Sequence, residues 1–255
     1  MLHKIVEIAK EAGELIRSDF GRHHSIEYKT NVSNIVTETD KKAEKLITAY
    51  IEKEFPNHNI LAEEGSRKDG HSEYLWVIDP IDGTTNFAHG LPIFSVSIGV
   101  MKNDEIIYGV VFDVMRNVIY SAEKGSGAFA GNKKLRVSQN TDLRKSLLVT
   151  GFPYNVSENP GNVYEKFIAF LKNSRAVRRL GSAAIDCCYV AEGVFDGFWE
   201  VSLNPWDICA GKLIIEEAGG KVTNFIGEKA SIFSPQFLAS NGLIHKDMMK
   251  ILNEN

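Results

Sequence analysis

Leu2, Ile5, Ile8, Ala9, Ala12, Leu15, Ile16 and Phe20 recur at the spacing of one helical face, so the chain opens with a helix ending near Gly21. The polar stretch from His23 to Asn34 has no such period and reads as a mobile loop. A second stripe, Ala43, Leu46, Ile47, Tyr50 and Ile51, marks another helix. Thr37 and Asp40 stand at capping-box spacing at its start, and Pro56 stops it. The pattern then shortens to apolar runs at Asn59–Ala62, Leu75–Asp79, Ile93–Met101, Ile106–Phe112 and Val118–Ala122. Turns at Lys102–Glu105 and Arg116–Asn117 make the last three an antiparallel meander. Gly125-Ser126-Gly127 then reads as a hairpin rather than a dinucleotide cradle.

Beyond Gly131 strands and helices alternate. A strand at Leu147–Thr150, a helix around Val163–Leu171, a small-residue helix from Gly181 to Gly193 and a strand at Phe195–Val201 follow one another. The next helix has Asn204 as cap, Pro205 in its first turn and Asp207 within it. Trp206, Ala210, Leu213, Ile214 and Ala218 form its buried stripe, and Gly219-Gly220 closes it. The pattern predicts a mixed α/β chain in two packed halves, residues 1–145 and 146–255.

Composition narrows the class. Among 255 residues, 44% are hydrophobic and 24% charged, ordinary globular values. A net charge of −4 argues against nucleic acid or acidic lipid as partner, since both need a basic face. The longest stretch without Asp, Glu, Lys or Arg, Gly83 to Met101, contains Asn86, His89, Gly90 and Pro92, so no membrane span is expected. Three cysteines, Cys187, Cys188 and Cys209, lack CxxC spacing and read as core residues in a reducing compartment.

The candidate chemistry lies in carboxylates at element ends. Asp79-Pro80-Ile81-Asp82-Gly83-Thr84-Thr85-Asn86 begins where the strand Leu75–Ile78 ends. Paired aspartates on a turn stiffened by Pro80, with Gly83 permitting close backbone approach, suit a hard cation such as Mg²⁺, which takes oxygen ligands at about 2.0–2.1 Å. The amides of Gly83 and Thr84 can donate to phosphate oxygens if they open a helical turn. Alone, this segment is equally an Asx-type surface turn. Glu63-Glu64 alone is a solvated turn, and Asp207 alone is explained by the helix dipole. Three such signals at element ends change the balance. No HExxH pattern supports a zinc hydrolase.

Together these segments resemble the inositol monophosphatase family, the Mg²⁺-dependent, lithium-sensitive sugar phosphatases. Glu63-Glu64, the segment Asp79–Asn86, Trp206-Asp207, Leu180-Gly181-Ser182-Ala183-Ala184 and Glu217-Ala218-Gly219-Gly220 all fit its motifs in order. The resemblance implies a five-layered αβαβα sandwich with an N-terminal antiparallel and a C-terminal mixed sheet. It further implies that Glu63, Asp79 and the Ile81 carbonyl hold one Mg²⁺, that Asp79, Asp82 and Asp207 hold a second, and that Glu63 helps place a third. Thr84 and Asp40 match the pair that, with Glu63, orients and deprotonates water. Gly83 and Thr84 would bind phosphate, Glu200 and Ala183 would line the inositol site beside Asp207, and Lys29 would sit in the mobile loop. A cytoplasmic homodimer is the corresponding expectation.

The electrostatics agree with a cation site: carboxylates ~4 Å apart repel by about 4 kcal/mol at an effective dielectric of 20. Setting aside Glu63, Asp79, Asp82 and Asp207 leaves acids and bases in equal number. The reaction expected is direct hydrolysis of a phosphate monoester by water, with no covalent phosphoenzyme. Three functions stay open: an inositol-1-phosphate phosphatase, a broader sugar phosphatase that also cleaves fructose 1,6-bisphosphate, and a non-catalytic sugar-phosphate-binding or regulatory protein. Arg175, Arg178 and Arg179 would supply cations for a second phosphate, or merely a solvated edge.

Overall fold

The computed structural model describes residues 1–22, 26–29 and 31–254. The N-terminal half comprises α1 (Leu2–Asp19), β1 (Ile26–Tyr28), β2 (Ile35–Thr37), α2 (Glu38–Glu54), β3 (Asn59–Ala62), β4 (Arg67–Lys68), β5 (Tyr74–Asp82), α3 (Thr84–Ala88), β6 (Ser95–Lys102), β7 (Glu105–Asp113), β8 (Val118–Glu123), β9 (Gly127–Ala130) and β10 (Lys133–Lys134). The chain continues through β11 (Leu147–Thr150), α4 (Val163–Asn173), β12 (Ala176–Arg178), α5 (Ala183–Ala191), β13 (Gly197–Val201), α6 (Pro205–Glu217), β14 (Lys221–Thr223), β15 (Gln236–Ser240) and α7 (His245–Glu254).

An eight-stranded sheet runs β10-β9-β8-β7-β6-β5-β3-β4, and a five-stranded sheet runs β12-β11-β13-β15-β14. The first is antiparallel except where β3 lies parallel to β5. The second is mixed, with β11 parallel to both neighbours. The two-residue period of the strands sorts side chains to opposite faces. Trp76, Ile78, Val110 and Phe112 pack with α1 and α2, whereas Val77 and Val111 face α5 and α6. Across the second sheet, Val149, Phe198 and Phe237 also meet α5 and α6, while Leu148, Trp199 and Leu238 turn outward to α4 and α7. Three apolar clusters thus fill the four interfaces between five layers of secondary structure, the central one covering both sides of α5 and α6, in the αβαβα order expected.

Helix α6 approaches the large sheet closely because two sheet glycines leave room. A Cβ at Gly99 would lie 2.3 Å from Cys209 Sγ, and one at Gly109 would lie 2.6 Å from the Ala210 carbonyl. All three cysteines are buried and free, as expected. The antiparallel meander and the hairpin at Gly125–Gly127 also form as predicted.

Two local expectations are corrected. Within the stretch expected as a loop, Ile26–Tyr28 forms a strand paired antiparallel with Ile35–Thr37. All three of its residues are exposed, and the triplet Ile-Glu-Tyr is too short for its alternation to mark a strand. His23, His24, Ser25 and Thr30 of that stretch lie outside the described residues. The second correction concerns β5, which does not end at Ile78 but runs on through Asp82.

Candidate active site

That extension is irregular, and the irregularity aims the acids. Asp79 pairs with Ser97 but Asp82 pairs with Ser95, so three steps on β5 oppose two on β6. The bulge breaks the alternation that would have sent Asp79 and Asp82 to opposite faces. On the other side β3 stops pairing at Ala62–Ile78, so Pro80 withholds no ladder donor. The Glu63 amide then donates to the Ile78 carbonyl at 3.1 Å, fixing Glu63 beside the start of the aspartate segment. Gly83 follows with φ of 101°, a left-handed conformation favouring glycine, and opens α3.

Helix α2 supplies the next layer. Its capping box is formed by Thr37 and Asp40. Asp40 Oδ2 accepts the Thr37 amide at 2.9 Å, leaving Oδ1 to accept the Thr84 hydroxyl at 2.8 Å. Thr84 Oγ1 also lies 3.0 Å from the Ile81 carbonyl. Burial pushes the Asp40 carboxyl up to about 6, against the pull of its Thr37 and Thr84 donors. One turn along, Glu44 is buried and accepts the amides of Glu64 at 2.6 Å and Ser66 at 2.9 Å, bracing the turn that carries Glu63.

The C-terminal half contributes two helix starts. The first turn of α5 grips Asp82, which accepts the Ser182 hydroxyl and the amides of Ala183 at 3.2 Å and Ala184 at 2.8 Å. Burial raises Asp82 to about 6, with those donors opposing. Asp207 closes the capping box of α6 by accepting the Asn204 amide at 2.7 Å. Burial and the charges of Glu63 and Asp82 raise it well above the carboxylate range.

Asp79 is raised for the same reasons, by burial and then by Glu63, Asp82 and Asp207. Its Oδ1 is buried with no hydrogen-bond partner. Lys29 reaches in from the residue just after β1, its Nζ 2.9 Å from Glu63 Oε1 and 2.5 Å from Glu64 Oε1. Burial alone would depress this ammonium, but the two glutamates hold it up. Glu64 itself is pushed up to about 7 by burial, against Lys29.

Asp82, Gly83, Thr84, Ala183, Glu200 and Asp207 share the wall of one cavity. Glu63, Asp79, Asp40, Ile81 and Lys29 are not on that wall; they are tied to it through the contacts above. Burial pushes Glu200 up to about 8, opposed by Arg179 and by the Gly151 amide. Arg179 lines the cavity, whereas Arg175 and Arg178 do not. Sequence reasoning missed Glu44, Tyr154 and Asp186. Tyr154 and Asp186 line the cavity, and burial with the charges of Glu63, Asp207, Asp79 and Asp82 raises the Tyr154 phenol. Nothing in the local pattern of those residues signals a site.

An all-oxygen donor set with an orphaned, buried Asp79 oxygen fits a hard divalent cation. Asp82 and Asp207 line the cavity while Glu63 and Asp79 do not, so the acids do not form a finished cage. Among the described residues, no three acid, imidazole or thiol side chains stand together in a ready ligand set. Each of the others is held by the chain's own donors.

The comparisons with known proteins bear on the whole chain. The chain is 43% identical over 249 residues to a fructose-1,6-bisphosphatase/inositol-1-monophosphatase of Thermotoga maritima, covering 98% of this chain and 94% of that protein. It is 39% identical to Nus factor SuhB of Pseudomonas aeruginosa, with 98% and 94% covered. The solved inositol monophosphatase of Anabaena (Nostoc) sp. superposes with a TM-score of 0.89 at 39% identity, over 99% of this chain and 95% of that one. Among the described residues no helix is long and apolar enough to cross a membrane. With residues 1–255 matching the family model, the chain belongs to the inositol monophosphatase family, a metal-dependent family of phosphatases.

Proposed function

We propose that the protein is a Mg²⁺-dependent phosphate monoester hydrolase acting on inositol 1-phosphate by direct attack of water. The observation that carries this reading is the group of Glu63, Asp79, Asp82 and Asp207, in which burial and the charge of Glu63 raise all three aspartates and one Asp79 oxygen is unpartnered. Glu63, Asp79 and the Ile81 carbonyl would hold one ion, Asp79, Asp82 and Asp207 a second, and Glu63 would share a third. When bound, Mg²⁺ supplies Lewis-acidic positive charge to the phosphoryl group and its water.

The remaining roles belong to the chain. The Thr84 hydroxyl donates a hydrogen bond to Asp40 Oδ1 at 2.8 Å, which leaves its oxygen lone pairs to accept from the attacking water. Asp40, raised to about 6, and Glu63 are the proton acceptors for that water. The amides of Gly83, the N-cap of α3, and Thr84, its first residue, have no helical acceptor and would receive the phosphate. Glu200 and Ala183 stand on the wall to receive the polyol, next to Asp207. Lys29 offsets the charge of Glu63 and Glu64 from the edge.

A broader sugar phosphatase that also acts on fructose 1,6-bisphosphate is the second reading. Arg179 on the cavity wall favours it, because a guanidinium there suits a second phosphate. The deciding experiment is phosphate release from inositol 1-phosphate, fructose 1,6-bisphosphate, a nucleoside bisphosphate and glycerol phosphate, with and without Mg²⁺. Mg²⁺-dependent release from inositol 1-phosphate above the others is expected. Comparable efficiency on the bisphosphate would move the assignment to the second reading, and no release from any would refute both.

A further inference from the structure

Helix α5 is built from small and apolar residues, Ala-Ala-Ile-Asp-Cys-Cys-Tyr-Val-Ala, with a single acid among them. That acid, Asp186, is 1% exposed. Its amide donates to the Ser182 carbonyl at 3.0 Å, so it stands one turn from the residue that grips Asp82 and on the same helical face as Ala183. Asp186 Oδ1 has no hydrogen-bond partner, yet the residue lines the same cavity as Glu200 and Arg179. Buried polar groups in native proteins are nearly always paired, and an exception on a cavity wall needs a reason outside the chain.

The neighbours of Asp186 define what that partner is. Glu200 and Asp82 act on it as like charges and Arg179 as the opposing one. Glu200 already accepts from the Gly151 amide, so it is anchored, whereas Asp186 is not. Two carboxyl groups on adjoining elements, α5 and β13, offer acceptors to two hydroxyls of one ring. Arg179 already contributes positive charge at this end, which disfavours an amine.

We propose that Asp186 is a specificity-determining residue that takes a hydroxyl of the substrate's polyol alongside Glu200. The inference rests on the phosphatase reading and extends it from the phosphate to the ring. The acid touches neither the water nor the phosphate, so its loss separates polyol esters from plain ones.

The test compares inositol 1-phosphate with cyclohexyl phosphate, the same ring without hydroxyls, in wild type, Asp186→Ala and Asp186→Asn. For Asp186→Ala, kcat/KM should fall about tenfold more on inositol 1-phosphate than on cyclohexyl phosphate, the size of one lost hydrogen bond, and mainly through KM. Asp186→Asn, which keeps a carbonyl acceptor, should restore most of the difference. Equal changes on both substrates would overturn the proposal. So would a drop in melting temperature beyond about 5 °C in Asp186→Ala, which would reveal a structural partner. Wild-type protein that cleaves neither ester with Mg²⁺ would instead overturn the phosphatase reading beneath it.

Discussion

Glu44 gives the sharpest prediction, because one buried side chain braces the turn behind Glu63. It is 3% exposed, and its two oxygens accept the Glu64 amide at 2.6 Å and the Ser66 amide at 2.9 Å. Hydrogen bonds to a charged acceptor contribute about 1.5–3 kcal/mol each. The outer one lies beside the exposed Gly65, where water can replace it, so Glu44→Ala should cost about 3 kcal/mol rather than the full sum. Alanine's higher helix propensity offsets a few tenths of that. At roughly 2–4 °C per kcal/mol for a chain of this size, the melting temperature should fall by about 6–12 °C. Glu44→Gln keeps one carbonyl acceptor and sets an NH₂ against the other amide, and should lose about half as much. The loosened turn also carries Glu63, so the Mg²⁺ concentration for half-maximal phosphate release should rise in both variants. The assays are urea unfolding with an unchanged m-value and a Mg²⁺ activation curve. Stability within about 0.5 kcal/mol of wild type, or lost stability with an unshifted Mg²⁺ midpoint, would refute the argument.

Other tests follow from the same geometry. Asp82→Asn should abolish turnover while leaving the circular dichroism unchanged; retained phosphate release would remove Asp82 from the cation site. Thr84→Ala should lower kcat with little change in the Mg²⁺ midpoint, and an unaltered kcat would end its water-orienting role. His245 is buried between the Thr223 and Ser240 hydroxyls, both at 2.8 Å, and burial with Lys221 lowers it from 6.5 to about 4. The unfolded chain binds this proton first, so the contribution is complete above pH 6.5 and is lost as pH falls toward 4, by up to about 3 kcal/mol. His245→Asn should flatten the wild-type slope of urea stability between those pH values, and parallel slopes would disprove it. Gly109→Ala, whose Cβ would lie 2.6 Å from the Ala210 carbonyl, should push α6 outward and cost about 1–3 kcal/mol; a thermal melt matching wild type would show the sheet yields there.

The expected features that came out as written are mostly local. The Thr37–Asp40 cap, the Pro56 stop, the Asn204 start of α6 and the meander all depend on residues a few positions apart. Where local signals were silent, the expectation failed. The exposed Ile26–Tyr28 is too short for its alternation to signal a strand, and it buries no face; its partner is Ile35–Thr37 beside it. The extension of β5 through the aspartate segment was hidden because a bulge has no hydrophobic period.

The sequence by itself determined the order of the elements, the αβαβα layering through its motifs, and which acids are candidates, since periodicity, caps and turn residues act over one or two turns. Only the tertiary structure decided what those acids do to one another. Asp40 serves its own helix with one oxygen and Thr84, forty-four positions away, with the other. Glu44 and Asp186 look like ordinary helix positions until the packing places one under the Glu63 turn and the other on the cavity wall. The reason is range: a carboxylate's burial and charge depend on elements brought together by sheet order and close helix packing at Gly99 and Gly109, which leave no mark near the acid itself.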